Sequence, residues 1–384
     1  MEIKNKKVLL RADFNVPLKD NEISDNYRIV STIPTLEFLR NGGAKTIIIS
    51  HIETKDIEKP TLKPVFDYIK KNYTDFNIEF INNVEMLEPA LINLNEGGFL
   101  LLENIRNFDG EKNNDTVLAG NFKTLTDAYI NDAFAVSHRN HMSVCALPMM
   151  YDKDHKMFGL QMQKEIDNLS KILSAEKPFA VILSGAKFST KLPLIDKYLG
   201  IADKIFIGGA LFNNILKSLG HNVGKSLIDT EVDLSTLIKS ENFTNKVFIP
   251  HEVVVKDLIT NSVRTCKINE VAENECILDM VDSDILDFVE ILKKDNYKKI
   301  VWNGPLGNYE DDAFKVGTLT LAKGLVDYIV NNENSRLFIG GGDTVAAINT
   351  LDVKNERIFV STGGGAMLEF LEKDGKLPGV ISVQ

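Results

Sequence analysis

The residues able to do chemistry in this chain of 384 residues fall into two groups, different in type and lying in different halves. The first half carries arginine, histidine and short polar residues. They occur in Arg11-Ala-Asp13-Phe-Asn15-Val-Pro, at Arg28, in Ser50-His51 and Glu103-Asn-Ile-Arg106, and in Asn131-Asp-Ala-Phe134 followed by Ser-His138-Arg139-Asn-His141. Five of the 8 arginines precede residue 140, while 36 lysines supply the generic surface charge. Each retained arginine is therefore a candidate for the planar, two-pronged oxyanion contact that lysine makes less well. Arg28, Arg106, Arg139 and the three histidines, converging on one sheet edge, would repel one another unless an anion neutralised them. A phosphorylated carboxylic acid suits that chemistry. His138 and His141 lack the nearby carboxylate or thiolate pair that a metal site needs.

The second half carries glycine instead. Residues 336–346, RLFIGGGDTVA, read as a strand, three glycines, Asp-Thr and a helix, and residues 357–370, RIFVSTGGGAMLEF, repeat the arrangement. Such turns let backbone approach a phosphate closely, and the helix N-terminus that follows points unpaired N–H groups at it. The two turns comprise Gly340, Gly341 and Gly342 with Asp343 and Thr344, and Gly363, Gly364 and Gly365. Beside phosphates, Asp343 is a natural Mg²⁺ ligand. Ser184-Gly185-Ala-Lys187-Phe-Ser-Thr-Lys191 follows another strand, and its two lysines, four apart, fall on one face of the next helix as a cationic clamp. Gly208-Gly209 closes a further strand. Trp302-Asn303-Gly-Pro305-Leu-Gly-Asn-Tyr-Glu310 closes one more, with Asn303 and Glu310 able to hold a purine or ribose. These strand ends together describe a nucleotide site. Two familiar fingerprints fail on spacing: Val345 stands where a dinucleotide motif wants a third small residue. In addition, 220–226, GHNVGKS, has three residues instead of four between its glycines.

The elements that must position these turns alternate. Strand candidates are 7–12, 44–49, 77–81, 98–102, 128–130, 179–183, 204–207, 247–249, 299–302, 336–339 and 357–360. Helical periodicity runs through 26–41, 63–71, 158–173, 191–199, 211–219, 282–293, 313–331, 344–351 and 367–372. The alternation predicts an α/β protein whose parallel sheets carry helices on both faces and ligand sites at the carboxyl ends of the strands. The length suggests two domains, divided in the polar stretch near 148–158. We set them at 1–153 and 154–372, with a tail, 373–384, that reads as extended. A net charge of −10 argues against nucleic acid as partner. No apolar run approaches the ~18 residues of a membrane span, and the N-terminal one is too short for a signal peptide. Cys145, Cys266 and Cys276 form no even set and no CxxC, which predicts buried thiols in a reducing compartment, the cytoplasm.

The ordered motifs RADFNVP, ENIR, NDAFAVSHRNH, SGAKFSTK, WNGPLGNYE, GGGDT and STGGGA, spread over nearly the whole chain, resemble the phosphoglycerate kinase family. The resemblance implies two doubly wound parallel-sheet (Rossmann-like) lobes joined by a long helix and hinge, with the tail returning to the first lobe. It implies small-molecule partners only, a monomer, and reversible phosphoryl transfer between 1,3-bisphosphoglycerate and MgADP by hinge closure. On the acid side it carries over Asp13, Asn15, Arg28, His51, Arg106, His138, Arg139 and His141. On the nucleotide side it carries over Gly185, Lys191, Gly208, Gly209, Asn303, Pro305, Glu310 and Gly340 to Thr344. Arg28, Lys187 and Gly364 would neutralise the transferring group, with Mg²⁺ on Asp343.

Three departures from the family pattern stand out. His51-Ile-Glu53-Thr54-Lys55 replaces His-Leu-Gly-Arg-Pro, so a substrate-binding arginine becomes Thr54. Ser189-Thr190-Lys191 replaces Ser-Asp-Lys, and Leu278-Asp-Met-Val-Asp282 replaces Leu-Asp-x-Gly-Pro. They leave room for a second expectation, a catalytically weakened ligand-binding member acting as sensor or scaffold, and a third, a kinase of a different acid on the same scaffold.

Overall fold

The computed structural model describes residues 1–54, 57–186, 188–351 and 354–384, without the side chain of Asp343. Its strands in chain order are β1 (Lys7–Arg11), β2 (Leu18–Lys19), β3 (Glu22–Ile23), β4 (Lys45–Ile49), β5 (Ile78–Ile81), β6 (Phe99–Leu102), β7 (Ala128–Asn131), β8 (Lys156–Phe158), β9 (Phe179–Ser184), β10 (Lys204–Gly208), β11 (Val247–Phe248), β12 (Glu252–Asp257), β13 (Val263–Lys267), β14 (Glu275–Met280), β15 (Lys299–Asn303), β16 (Arg336–Gly340) and β17 (Ile358–Val360). The chain divides into two compact units, Met1–Ser170 with Lys373–Gln384, and Lys171–Glu372.

In the first unit six parallel strands run in the order β5-β6-β4-β1-β7-β8. The apolar runs of β1 and β4 are buried on both faces, as a parallel sheet requires. Val8 and Leu10 enter one core with Ile29 and Leu36, while Leu9 enters the other with Ile47 and Tyr129. The chain leaves β1 for β4 on one side and reaches β7 on the other, so a crevice opens at the carboxyl ends of β1 and β7, where such sheets bind ligands.

The boundary falls at Ser170, not at residue 153. Lys156–Phe158 is an edge strand paired with β7, and the helix Leu160–Ile172 starts only after it. Asp132 Oδ1 accepts from the Met162 amide (2.9 Å) and Thr35 Oγ1 from the Leu160 amide (3.0 Å), anchoring that helix start to this unit. The tail is not extended either. Pro378, whose fixed φ suits a first helical position, opens the helix Pro378–Ile381. Gly379 donates its N–H to the Ser137 carbonyl (2.8 Å) and accepts from Asn131 Nδ2 (3.0 Å).

In the second unit the order is β11-β10-β9-β15-β16-β17, again all parallel. The switch point lies between β9 and β15. A separate antiparallel sheet, β13-β12-β14, was not anticipated. Four of the five residues of β13 are exposed, so it has no apolar alternation to announce it. Gly304, directly after β15, has φ +98°, and a Cβ there would lie 2.3 Å from the Ser184 carbonyl oxygen of the neighbouring strand. Gly304→Ala should therefore destabilise the fold by about 1–3 kcal/mol or more, read as a lowered Tm in thermal denaturation. An unchanged Tm would contradict this turn.

Candidate active site

At the crevice of the first unit, Arg11 is fully buried and serves as scaffold. Its Nε donates to Ser143 Oγ (2.8 Å), Nη1 to the Ala12 carbonyl (2.6 Å), and Nη2 lies 3.2 Å from His51 Nδ1. Because a guanidinium can only donate, His51 Nδ1 accepts and the ring proton sits on Nε2. Ser143 passes the contact on to buried Glu111 through its hydroxyl (2.7 Å) and its amide (2.9 Å). Arg28, second residue of the helix Tyr27–Asn41, meets Asp13 Oδ1 at 3.2 Å. The Asn15 amide also turns to Asp13 Oδ1 (3.3 Å), while Asn15 Oδ1 accepts from the Glu53 amide (2.9 Å). Arg106 pairs with the Glu53 carboxylate, leaving its buried Nε without an acceptor. His138 and His141 are half-buried in the loop after β7, and Arg139 is exposed between them.

The structure brings His51, His141, Arg28 and Arg106 into one electrostatic neighbourhood, with Arg139 close to His141. It corrects one expectation, that only a bound anion could quiet the cluster. Asp13 answers Arg28, Glu53 answers Arg106, and Glu111 lies 3.8 Å from His141 Nδ1. Burial, then Arg11, Arg106 and Arg28, hold His51 well below its ordinary value. Burial, with Arg106 and Arg11, lowers His141 to about 4. Both rings are thus neutral near pH 7. For His141 the folded value lies below the unfolded ~6.5, so between pH 6.5 and 4 the unfolded chain binds the proton first and stability falls with pH. Subtracting the urea-derived stability of His141→Gln from that of the parent should leave a difference that declines over this window. A flat difference would mean the imidazole is not desolvated.

In the second unit, the turns after β9, β10, β15, β16 and β17 gather at one edge. The two triple-glycine turns abut, since a Cβ on Gly364 would stand 2.9 Å from the Gly341 nitrogen. Their helices are Gly342–Asn349 and Gly364–Glu372. Lys191 does not ride on the following helix. It precedes the helix Leu192–Ile201, and Lys187 lies outside the described residues. Instead Lys191 reaches back, its ammonium donating to the Ser184 carbonyl and to Asn303 Oδ1 (3.1 Å). Desolvation lowers its pKa to about 8, and no carboxylate pairs with it among the described residues. Asn303 is buried here, with Nδ2 lacking an acceptor, so it belongs to the glycine turns and not to a base or ribose contact. Thr344 is also fully buried, its Oγ1 accepting from the Gly304 amide (3.0 Å). That contact clasps two turns together and leaves Thr344 no direct access to a ligand.

Beside these turns opens a cleft of about 550 Å³. Gly185, Gly209, Pro305 and Glu310 line it, together with Asn213, Leu227, Cys276, Ile277, Leu278, Asp279, Met280 and Tyr309. Gly208 lies behind it, where a Cβ would strike Leu306. Burial pushes Asp279 up to about 7 even though the Met280 and Gly317 amides donate to it. Of the cysteines, Cys145 and Cys266 are buried as expected, but Cys276 is half-exposed on the cleft wall. No cluster of three metal-ligating side chains occurs among the described residues, and none of their helices is long and apolar enough to cross a membrane.

The sequence model of phosphoglycerate kinase matches residues 1–374. The chain belongs to the phosphoglycerate kinase family. It is 37% identical over 398 residues to the phosphoglycerate kinase of Thermosipho africanus, covering 100% of this chain and 96% of that one. To that of Wolbachia sp. subsp. Drosophila simulans it is 35% identical over 396 residues, covering 100% and 97%. Among solved structures, phosphoglycerate kinase from Coxiella burnetii matches with a TM-score of 0.82 at 29% identity, and that from Pyrococcus horikoshii with 0.84 at 25%. Each match covers 100% of this chain and 97% of the other.

As a phosphoglycerate kinase, the chain is a glycolytic phosphotransferase acting on a carboxyl group. Thr54 Oγ1 is buried without a hydrogen-bond partner, and Glu53 has taken Arg106. Lys55, the conceivable substitute, lies outside the described residues. Sequence reasoning missed Glu111, which sits in a polar run with no motif around it. It also missed the cleft walls contributed by Leu227, Cys276 and Ile277, which come from segments with no phosphate signature, whereas Leu278 to Met280 belong to the altered Leu-Asp motif.

Proposed function

We propose that the first unit binds 3-phosphoglycerate or its 1,3-bisphosphate through Arg28, Arg106, Arg139, His51, His138 and His141. Asp13 and Asn15 hold the loops that carry them. The second unit binds ADP or ATP, phosphates at the glycine turns and Lys191, base in the cleft that Glu310 and Pro305 help to line. The observation that carries this reading is Lys191, a desolvated ammonium with no carboxylate partner among the described residues, set where the glycine turns converge. A polyanion is the natural neutraliser of such a charge.

The attacking group is a carboxylate or a diphosphate oxygen, ionised at neutral pH, so the reaction needs no general base. Neutral His51 and His141 fit that requirement because they can donate hydrogen bonds to the acid without titrating. The chain's task is to align the reactants and to stabilise charge on the group in transit. Arg28 does so from the acid side, and Lys187 with the helix that Gly364 opens from the nucleotide side. Mg²⁺ would arrive with the nucleotide and be held by Asp343, spreading charge over the phosphates. The abutting Gly341 and Gly364 turns, so close that a Cβ on Gly364 would stand 2.9 Å from the Gly341 nitrogen, suit a phosphate–metal group. Because the acid and nucleotide sites lie on different units, transfer requires the units to close, which also keeps water from the acyl phosphate. We take the working species to be a monomer. Its free thiols suit the reducing cytoplasm.

A coupled assay on purified protein tests the whole reading. Turnover of ~1–100 s⁻¹ or faster with 3-phosphoglycerate and MgATP is expected. Calorimetric binding of both ligands without turnover would overturn it.

A further inference from the structure

Two neighbouring asparagines on the helix Gly209–Ser218 face the segment 227–229. Asn214 is saturated there. Its Nδ2 donates to the Asp229 carbonyl (2.7 Å) and its Oδ1 accepts from the Asp229 amide (3.0 Å). Asn213 is tied at one end only. Its Nδ2 donates to the Leu227 carbonyl (3.1 Å), and because a carbonyl can only accept, this contact fixes which way the amide faces. Its Oδ1 is then the free end. It is buried, finds no donor among the described residues, and belongs to a side chain only 2% exposed. A buried acceptor left without a donor is costly, and it is ordinarily completed by a water or a ligand.

Asn213 lines the cleft beside the glycine turns, between phosphate-type turns at Gly185 and Gly209 and an apolar slot made by Leu227, Ile277 and Met280. Such a slot takes the flat faces of a base, and Asn213 Oδ1, the one buried side-chain acceptor without a donor among the described lining residues, asks for an N–H on the edge of that base. We infer that Asn213 Oδ1 accepts a hydrogen bond from the exocyclic amino group of a 6-aminopurine, making this residue a determinant of base specificity. A 6-oxo purine presents an acceptor at that position and would meet Oδ1 with repulsion. The inference rests on the placement of the base in this cleft proposed above.

The test is calorimetric titration of the full chain with three diphosphates: ADP, purine riboside diphosphate (hydrogen at position 6) and IDP (oxygen at position 6). The parent should bind ADP about tenfold more tightly than purine riboside diphosphate, and IDP no better than the latter. Asn213→Leu should bring ADP down to the level of purine riboside diphosphate while leaving the latter unchanged. Leu227→Trp, which fills the slot, should weaken all three. Equal binding of ADP and purine riboside diphosphate by the parent, which no folding defect can produce, overturns the inference. If Leu227→Trp weakens all three yet the preference for ADP survives in Asn213→Leu, the cleft stands and Asn213 is not the reader. If Leu227→Trp changes nothing, the base binds elsewhere and both readings fall.

Discussion

Arg28→Ala should lower kcat by about a hundredfold or more, while KM for either substrate moves only a fewfold. Arg28 is a partly exposed cation held by Asp13 at 3.2 Å, so it is oriented before substrate arrives. Its charge is wanted most when negative charge is in transit between two oxygens, and removing one such preorganised donor typically costs 10²–10³ in rate. The substitution also leaves Asp13 without its ion pair, next to an anion site, and Asp13 Oδ2 already lacks a partner. That repulsion should account for whatever rise in the KM of the acid appears, and adding Asp13→Asn should reverse it without restoring kcat. Steady-state kinetics of the two variants separate the effects. A change confined to KM would show that Arg28 merely binds the ground state.

Glu53→Gln should act in the opposite direction, lowering the KM for 3-phosphoglycerate by several-fold to about tenfold. In this chain the carboxylate of Glu53 occupies Arg106, so the substrate must displace an internal anion before it can use that guanidinium. Glu53 is 55% exposed and its hold is weakened by solvent, hence the modest figure. Thr54→Arg should add a contact of its own. The hydroxyl it replaces satisfies nothing, and a cavity of about 650 Å³ lined by Thr54, Arg106 and Lys112 offers room. A charge-assisted hydrogen bond is worth about 1.5–3 kcal/mol, or roughly ten- to a hundredfold in affinity. In the single variant the new arginine would meet Glu53, so the double variant should bind the acid most tightly. Calorimetric titration with 3-phosphoglycerate decides it. Unchanged affinity in all three would show that the acid never reaches Arg106.

What was legible in the sequence was the part governed by local rules. All eleven strands expected from their apolar runs are present, because strands buried on both faces must be apolar throughout. The glycine turns stood out because the Gly341 backbone leaves no room for a side chain at Gly364 and Gly341 itself has φ +99°. The rest depends on contacts between distant residues. Whether Lys191 rides on a helix or folds back on Ser184 is decided by Asn303, 112 positions away. The balancing of the basic cluster was invisible for the same reason: Glu111 reaches Arg11 only through Ser143. In the sheet β13-β12-β14 only the exposed strand β13 lacks a pattern; β12 and β14 alternate and were passed over. The first boundary was misplaced because Lys156–Phe158 reads as polar linker until β7 is seen beside it.

The return of residues 373–384 to the first unit bears on how the protein is made. Val383 enters the same apolar core as Leu9, and Asn131 Nδ2 donates to the Gly379 carbonyl. A ribosome delivers β1 first and this closing helix only after the entire second unit. The earlier-synthesised half must therefore wait, unfinished and with one patch of core uncovered, while the later half emerges and folds as an insertion within it.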